Sequence, residues 1–405
     1  MSLSHEELRA ADSVGDTDGC DISSLLEMLG CVTDRRSRRG RVHGLVLVLA
    51  ASLVAVLGGA SNFRQIADQV ADFPRSLLRR LGARWCYFRG EFRWPSEKTI
   101  RLVLTNIDAG QLDAAAGAWL RRHAKPEADG TLAVAIDGKV LRGAWTDDNE
   151  QFTLFSAMIH ERGVTIAQVQ VPAGTNEITQ VKALLDTVSA HAGERVVVTM
   201  DAAHTQRDTA EYLVAERGFT YVMTVKGNQP TLLESVFATC LPLVKTEPHH
   251  MVEERGHGRV NRWSTWVTEA NGIDFPYLRT AGCIRRETFN LAEERISKEY
   301  AWIITGSPAD EGGITCAEHL HELVRKHWGI ENKSHYVRDT TWREDAHQAY
   351  IGSGPQTMAT LRNIAAGLIR LSGVDAIKRT TEWISRNPLR ALAIIATHRN
   401  GDHLT

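Results

Sequence analysis

Asp137 and Asp201 each close an apolar run, Asp137 after Ala-Val-Ala-Ile and Asp201 after Val-Val-Val-Thr-Met. Such runs predict buried strands, and neighbouring strands of one sheet would bring both carboxylates together near its edge or C-terminal end. Two carboxylates held close repel each other, and one is forced to take up a proton. A divalent cation removes that conflict, and an oxygen-only donor set favours Mg²⁺ or Mn²⁺. For either aspartate taken alone, capping of the following loop is the simpler account. A third acid, Glu331, continues the face Leu320, Leu323, Val324, His327, Glu331, Arg338, which recurs at helical spacing. The first half of that face is apolar and should meet the core, where a carboxylate is costly unless paired or bound to metal. The alternative is a bend at Gly329 that leaves Glu331 to Lys333, Arg338 or solvent.

Strands and helices must alternate to hold these acids. TLAVAIDGK reads as a buried strand ending in charge, and QFTLFSAMI and VTIAQVQVP as a hairpin turning around Glu161-Arg162-Gly163. EITQVKALLDTVSA reads as an amphipathic helix, ERVVVTMDA as a strand, TQRDTAEYLVAERG as a helix closed by Gly218, and FTYVMTVKG as a strand. That order implies a mixed sheet covered on both faces. After a helix at TLLESVFATCL, three aromatic and β-branched strands read as a β-rich insertion over 245–310, and helical periodicity returns from Ala317. The expected parts are a loose acidic leader at 1–20, a helical region at 21–125, and an α/β domain built from 130–240 and 315–400.

The helical region starts at Ile22. Ser61 or Asn62 is placed to cap a helix over NFRQIADQV, Pro74 suits the first turn of the next, and Ser96 caps a helix with Thr99 at its third position. Leu45 to Ala60 is apolar throughout but is shorter than the roughly 20 residues a membrane span needs, and too far along for an ordinary signal peptide. It is read as a buried core helix, and the protein as cytoplasmic, with no membrane partner. The six cysteines lack CxxC pairs or regular spacing, which argues against disulfides and zinc.

The formal net charge is −2, yet it is unevenly spread. Residues 1–34 hold eight acids against Arg9, whereas residues 35–101 hold fourteen Lys and Arg against four acids. Arg35, Arg36, Arg38, Arg39 and Arg41 form one cluster, and Arg75, Arg79, Arg80 and Arg84 another. This asymmetry points to a polyanionic partner, and short helices with arginine on their outer faces suit a helical DNA-binding domain, or equally any small helical bundle. Near the acids, Lys139, Arg142 and Lys226 of the KGNQ turn are candidate phosphate contacts, with solvated surface as the alternative. Asn228 and Gln229 are expected to shape that turn, His204 to support the acids or lie on a polar surface, and Glu344 and Asp345 to pair with Arg343, with help in positioning a metal as the alternative. Trp328 is mostly expected as core, with stacking on an unpaired base as the alternative. His249, His250 and His257 lack ligand spacing and read as surface.

Four blocks carry a resemblance: PSEKTIR at 95–101, AIDGKVLRGA at 135–144, VVVTMDAAHTQRDTAEYLVAERGFTYVMTVKGNQPTLLE at 196–234, and RKHWGIENKSHYVRDTTWREDA at 325–346. With NEIT at 176–179 and HGR at 257–259, they resemble the DDE transposases of bacterial insertion sequences, in the branch with the H-repeat-associated proteins. The likeness runs from about residue 24 to 395. It implies a ribonuclease-H-like catalytic core with a β-rich insertion, preceded by a helical DNA-binding domain. It makes Asp137, Asp201 and Glu331 the first, second and third metal ligands. It also implies cleavage of element ends and joining of 3′-hydroxyls to target DNA, by copies of the chain assembled on DNA and associated with the nucleoid when bound. The chain departs from many relatives elsewhere in the superfamily in having Val324, His327 and Arg338 where they set Tyr, Arg and Lys; His327 and Arg338 remain candidate phosphate contacts. A nuclease that does not join, and a non-catalytic DNA-binding relic, are the competing readings.

Overall fold

The computed structural model describes residues 21–396 apart from 40, 125–129, 147, 192, 257 and 348–350. The acidic leader, His257 of the HGR block and the last residues of the expected α/β domain lie outside the described residues.

The chain begins with helices α1 (Ser23–Gly30), α2 (Leu45–Leu57), α3 (Phe63–Ala71) and α4 (Arg75–Arg80). A hairpin, β1 (Trp85–Cys86) and β2 (Glu91–Phe92), precedes α5 (Glu97–Asn106) and α6 (Ala109–His123). Asn62 caps α3 by accepting from the Gln65 amide, and Ser96 caps α5 by accepting from the Thr99 amide. Pro74 sits at the cap position of α4, one place before its first turn. Every residue of α2 except Val46 is buried, which explains its lack of a polar face. No helix among the described residues is long and apolar enough to cross a membrane.

Next come β3 (Thr131–Trp145), β4 (Gln151–Ile159) and β5 (Thr165–Val171), then the 3₁₀ turn Glu177–Gln180, α7 (Val181–Leu185), β6 (Arg195–Met200), α8 (Arg207–Glu211) and β7 (Thr220–Val225). Helix α9 (Pro230–Cys240) leads into β8 (His250–Gly256), β9 (Arg259–Glu269), β10 (Leu278–Asn290) and β11 (Arg295–Gly306). The chain closes with α10 (Ala317–His327), a π-helical turn Ile330–His335, α11 (Tyr336–Trp342), α12 (Gly354–Leu371), α13 (Ile377–Ser385) and α14 (Arg390–Ala396).

The fold is mixed α/β around a nine-stranded sheet of order β5-β4-β3-β6-β7-β11-β10-β9-β8. Strands β3, β6 and β7 are mutually parallel and the remaining pairings are antiparallel. Three expectations need correction. Strand β3 does not stop at Asp137: it continues to Trp145 because β4 keeps pairing with it after β6 has ended. The helix read over EITQVKALLDTVSA is shorter, a 3₁₀ turn and five helical residues. The strands within 245–310 do not form a sheet of their own, since β11 pairs with β7 and carries β10, β9 and β8 onto the same sheet.

The core follows the alternation of the strands. Val134, Ile136 and Val198 pack toward a large cluster that also contains Leu49 and Leu53 of α2, Trp119 and Leu120 of α6, and Leu361 and Ile369 of α12. The N-terminal helices thus share one core with the sheet. Asp113 of α6 is buried within it and accepts hydrogen bonds from Gln356 (2.7 Å) and Thr360 (2.5 Å) of α12 and from Gln168 (3.2 Å) of β5. On the opposite face, Ala133, Val197, Val222 and Ile303 pack against Leu320 and Leu323 of α10.

Candidate active site

The last register pair between β3 and β6 is Ala135 with Thr199. Asp137 and Asp201 stand two residues beyond it on adjacent chains, and such neighbours run about 4.8 Å apart. Alternation puts Asp137 on the face of Ala133 and Ala135, which α10 and Ile330 cover. Asp201 follows the end of β6 and accepts from the Ala203 (3.0 Å) and His204 (3.4 Å) amides, both on Oδ1. It therefore caps the loop after its strand, and Oδ2 takes no part in that cap. Glu331 arrives from the other direction, next to Ile330 in the π-helical turn, a distortion often found at functional sites. Ile330 packs on Ala135 and Met158, which anchors the turn over β3.

Burial pushes the Asp137 carboxyl up to about 7, opposed by a hydrogen bond from the Gly138 backbone and reinforced by the negative charges of Glu177, Asp201 and Glu331. Three acids far apart in sequence thus share one electrostatic neighbourhood, joined by a fourth. Glu177 enters from the 3₁₀ turn after β5, and a β-carbon on Gly138 would fall inside its carboxyl group. The buried His204 ring stacks on Phe155 and holds Nε2 3.7 Å from Glu177 Oε2 and 3.9 Å from Asp201 Oδ1. His335 Nδ1 lies 3.6 Å from Asp137 Oδ2; burial, with Arg338 and Lys139, pushes its pKa down to about 3, so it is a neutral neighbour.

Among the described residues, none of these four acids pairs with a Lys or Arg. A set of hard oxygen donors without a counter-charge fits a divalent cation. No three His, Cys, Asp or Glu side chains among the described residues are gathered tightly enough to ligate one ion as they stand. Closing on a cation therefore requires side-chain rotation, which the exposed Glu331 can make.

The basic residues divide sharply. Lys139, expected at phosphate, is 8% exposed and holds Asp339 at 2.6 Å and Asp345 at 3.6 Å, so its charge is spent inside the protein. Arg338 is fully buried against Glu344 at 2.7 Å, and Arg362 grips the same carboxylate at 2.8 Å. Burial alone would raise Glu344, but the two guanidinium groups hold it down at about 2. Glu344 thus pairs with Arg338 and Arg362 rather than with Arg343. His327 is likewise no cation: burial lowers its pKa to about 4, and its Nδ1 lies 3.0 Å from Thr199 Oγ1, which also meets His160 at 2.8 Å. Arg142 is exposed, 3.5 Å from Asp345. Lys226 is exposed just past β7, at the Asp201 end of the sheet. Asn228 and Gln229 do shape its turn, donating to the Ala202 and Thr205 carbonyls. Trp328 is exposed rather than core.

In the N-terminal cluster, Arg35 pairs with Asp108, and Arg36 and Arg41 pair with Asp34. Arg38 and Arg39 are exposed, with no ion pair among the described residues. Sequence reasoning passed over Glu177 and His335; the available signal was the glutamate of NEIT and the side-chain-free residue after Asp137.

The family described as "Transposase DDE domain" matches residues 129–368, and the one described as "DDE_Tnp_1-associated" matches residues 26–120. "Putative transposase YncI" of Escherichia coli O157:H7 is 27% identical over 365 residues, covering 86% of this chain and 88% of that protein. "H repeat-associated putative transposase YhhI" of Escherichia coli K12 is 25% identical over 362 residues, covering 86% and 91%. A solved piggyBac transposase synaptic complex with hairpin DNA aligns over 95% of this chain and 80% of that one, at 11% identity and a TM-score of 0.39, too distant to argue from.

Proposed function

The chain belongs to the DDE transposase family, and we propose that it cuts the ends of a DNA element and joins the freed 3′-hydroxyls to target DNA. The observation that carries this reading is geometric: Asp137 and Asp201 follow the last register pair of β3 and β6, and the Glu331 turn packs over β3 through Ile330. Burial raises the Asp137 carboxyl to about 7, reinforced by the charges of Glu177, Asp201 and Glu331. In this reading the three acids hold Mg²⁺ or Mn²⁺, and Glu177 stands beside them. Divalent ions held by these carboxylates would supply activation of the attacking oxygen and charge stabilisation of the leaving one in an in-line displacement. The protein's share is to fix the carboxylates: β3 and β6 set Asp137 and Asp201 side by side, the Ala203 and His204 amides orient Asp201, and Ile330 pins the Glu331 turn. Lys226, exposed at the Asp201 end of the sheet, is the phosphate contact near the site, and the exposed Arg142, farther along β3 than Asp137, meets phosphate away from it. No DNA–protein bond forms in either step.

The strand order β5-β4-β3-β6-β7, an antiparallel triplet followed by two parallel strands, supports a ribonuclease-H-like core. Element-end recognition belongs to the helical region of about 35–124, with Arg38 and Arg39 free for phosphates, and two or more copies act together on DNA in the bacterial cytoplasm. The test uses labelled duplexes cut from inverted repeats that flank the reading frame. Asp137→Asn, Asp201→Asn and Glu331→Gln should each abolish cleavage in Mg²⁺ while DNA binding survives. Near-wild-type cleavage by one variant removes that residue from the site, and cleavage in a chelator removes the metal. Nicked ends that never join to target would make the protein a nuclease.

A further inference from the structure

We propose that the β1–β2 hairpin is a DNA wedge: Tyr87 and Phe88 at its tip stack on bases of the element end while surrounding arginines take the flanking phosphates. This rests on the transposase reading. Tyr87 is 89% exposed and Phe88 101% exposed, the two most exposed large hydrophobic side chains among the described residues. Exposed rings on a loose loop would mean little, but this stem is built. Trp85 and Phe92 pack edge to face across the strands at 5.0 Å, and the Arg93 amide donates to the Arg84 carbonyl at 2.9 Å. The Arg93 guanidinium reaches Cys86 Sγ at 3.3 Å. Gly90, at φ +63°, turns the loop so that its amide returns to the Cys86 carbonyl at 2.9 Å. An L side chain there would be strained.

The charge around the tip selects the partner. Residues 75–94 contain six arginines and one acid, Glu91. Arg75, Arg79, Arg84, Arg89 and Arg93 are exposed, and Arg75 lies over the Trp85 ring at 6.0 Å. A purely apolar partner would leave these guanidinium groups unanswered, whereas DNA answers both parts: phosphates match the planar forks of arginine, and bases offer π-faces to the rings. Apolar wedges of this kind unstack a base step in exchange for wider contact.

The experiment uses the full-length chain and flanking inverted-repeat duplexes carrying 2-aminopurine at successive terminal positions. Wild type should raise the fluorescence at one or two adjacent positions. Tyr87→Ala/Phe88→Ala should lose that rise, bind the end roughly ten- to a hundredfold more weakly, and melt at the wild-type temperature because both rings stand in water. Arg84→Gln/Arg89→Gln should flatten the salt dependence while keeping the fluorescence rise. A double alanine variant with wild-type affinity and fluorescence overturns the wedge. So does one whose DNA binding is intact but whose sedimentation shifts to smaller species, since the tip would then be a contact between copies. If wild type cleaves ends in Mg²⁺ and the variant behaves identically on DNA, the wedge alone fails; if wild type neither binds nor cleaves ends, the transposase reading has failed with it.

Discussion

Asp137→Asn should make the metal-free protein more stable at pH 8 even as it ends catalysis. The folded carboxyl titrates at about 7, against an ordinary value of 3.8, chiefly because it is buried beside three other acids. A carboxyl raised in the folded state keeps its proton between those two values, while the unfolded chain has already lost it. The unfolded state then binds fewer protons, so stability falls as pH climbs through that window and levels off above about 7. At about 1.36 kcal/mol per unit, the full penalty is about 4 kcal/mol. Roughly 3 kcal/mol of it accrues between pH 5 and pH 8, less some screening because the side chain is 23% exposed. Asn keeps the shape and never titrates. Melting in a chelator at both pH values reads the difference: the variant should gain about 3–5 °C over wild type between pH 5 and pH 8. Asp274→Asn, at an aspartate 92% exposed, is the control and should show no such gain. Added Mg²⁺ should raise wild type at pH 8 and leave Asp137→Asn nearly unmoved. A variant that melts at or below wild type at pH 8 without metal refutes the reasoning.

Other perturbations follow from the same geometry. Glu177→Gln removes a like charge beside Asp137 and lowers its folded pKa, so the pH-dependent loss of stability should level off at a lower pH and be smaller in total, visible in the same melting series. Gly138→Ala drives a methyl into the Glu177 carboxyl and should destabilise by about 1–3 kcal/mol; adding Glu177→Ala should restore stability, and failure of that rescue would disprove the clash. Glu344→Gln leaves Arg338 and Arg362 buried without their shared carboxylate and should cost about 3–5 kcal/mol in chemical denaturation. Arg38→Ala/Arg39→Ala should leave melting unchanged and lower the slope of log affinity against log salt by about 0.9 for each phosphate no longer neutralised, whereas an unaltered slope would remove both from the DNA surface.

What the sequence made legible was mostly local. Asp201 was readable because β-branched residues run straight into it and the strand does end there. Asn62 and Ser96 were readable because a cap is decided within four residues. Lys139 misled for the opposite reason: a charge after an apolar run looks like a strand end, but its partners Asp339 and Asp345 lie some two hundred residues away. Arg338 deceived in the same way, since only the turn that buries Glu344 between two arginines shows that it is an interior residue. The β7–β11 pairing is equally invisible locally: three strands that look self-contained, with a fourth, β8, that the sequence does not announce, lengthen one sheet. Strands of two residues, as in β1 and β2, carry too little alternation to detect.

The sharing of one core by α2, α6, α12 and the sheet bears on how this chain can change over time. A recognition region joined to its catalytic part by a linker can be exchanged between relatives like a cassette, because little packing crosses the join. Here Trp342 of α11 donates to the Val56 carbonyl of α2 at 2.8 Å, and Asp113 depends on Gln168, Gln356 and Thr360. Swapping residues 21–124 alone would strip those partners and uncover Trp119 and Leu120. Viable chimaeras should therefore carry α12 along with the N-terminal helices, and substitutions on the two sides of that face should be inherited together. Exposed residues such as Arg38, Arg39 and the hairpin tip, by contrast, can vary without disturbing the shared interior.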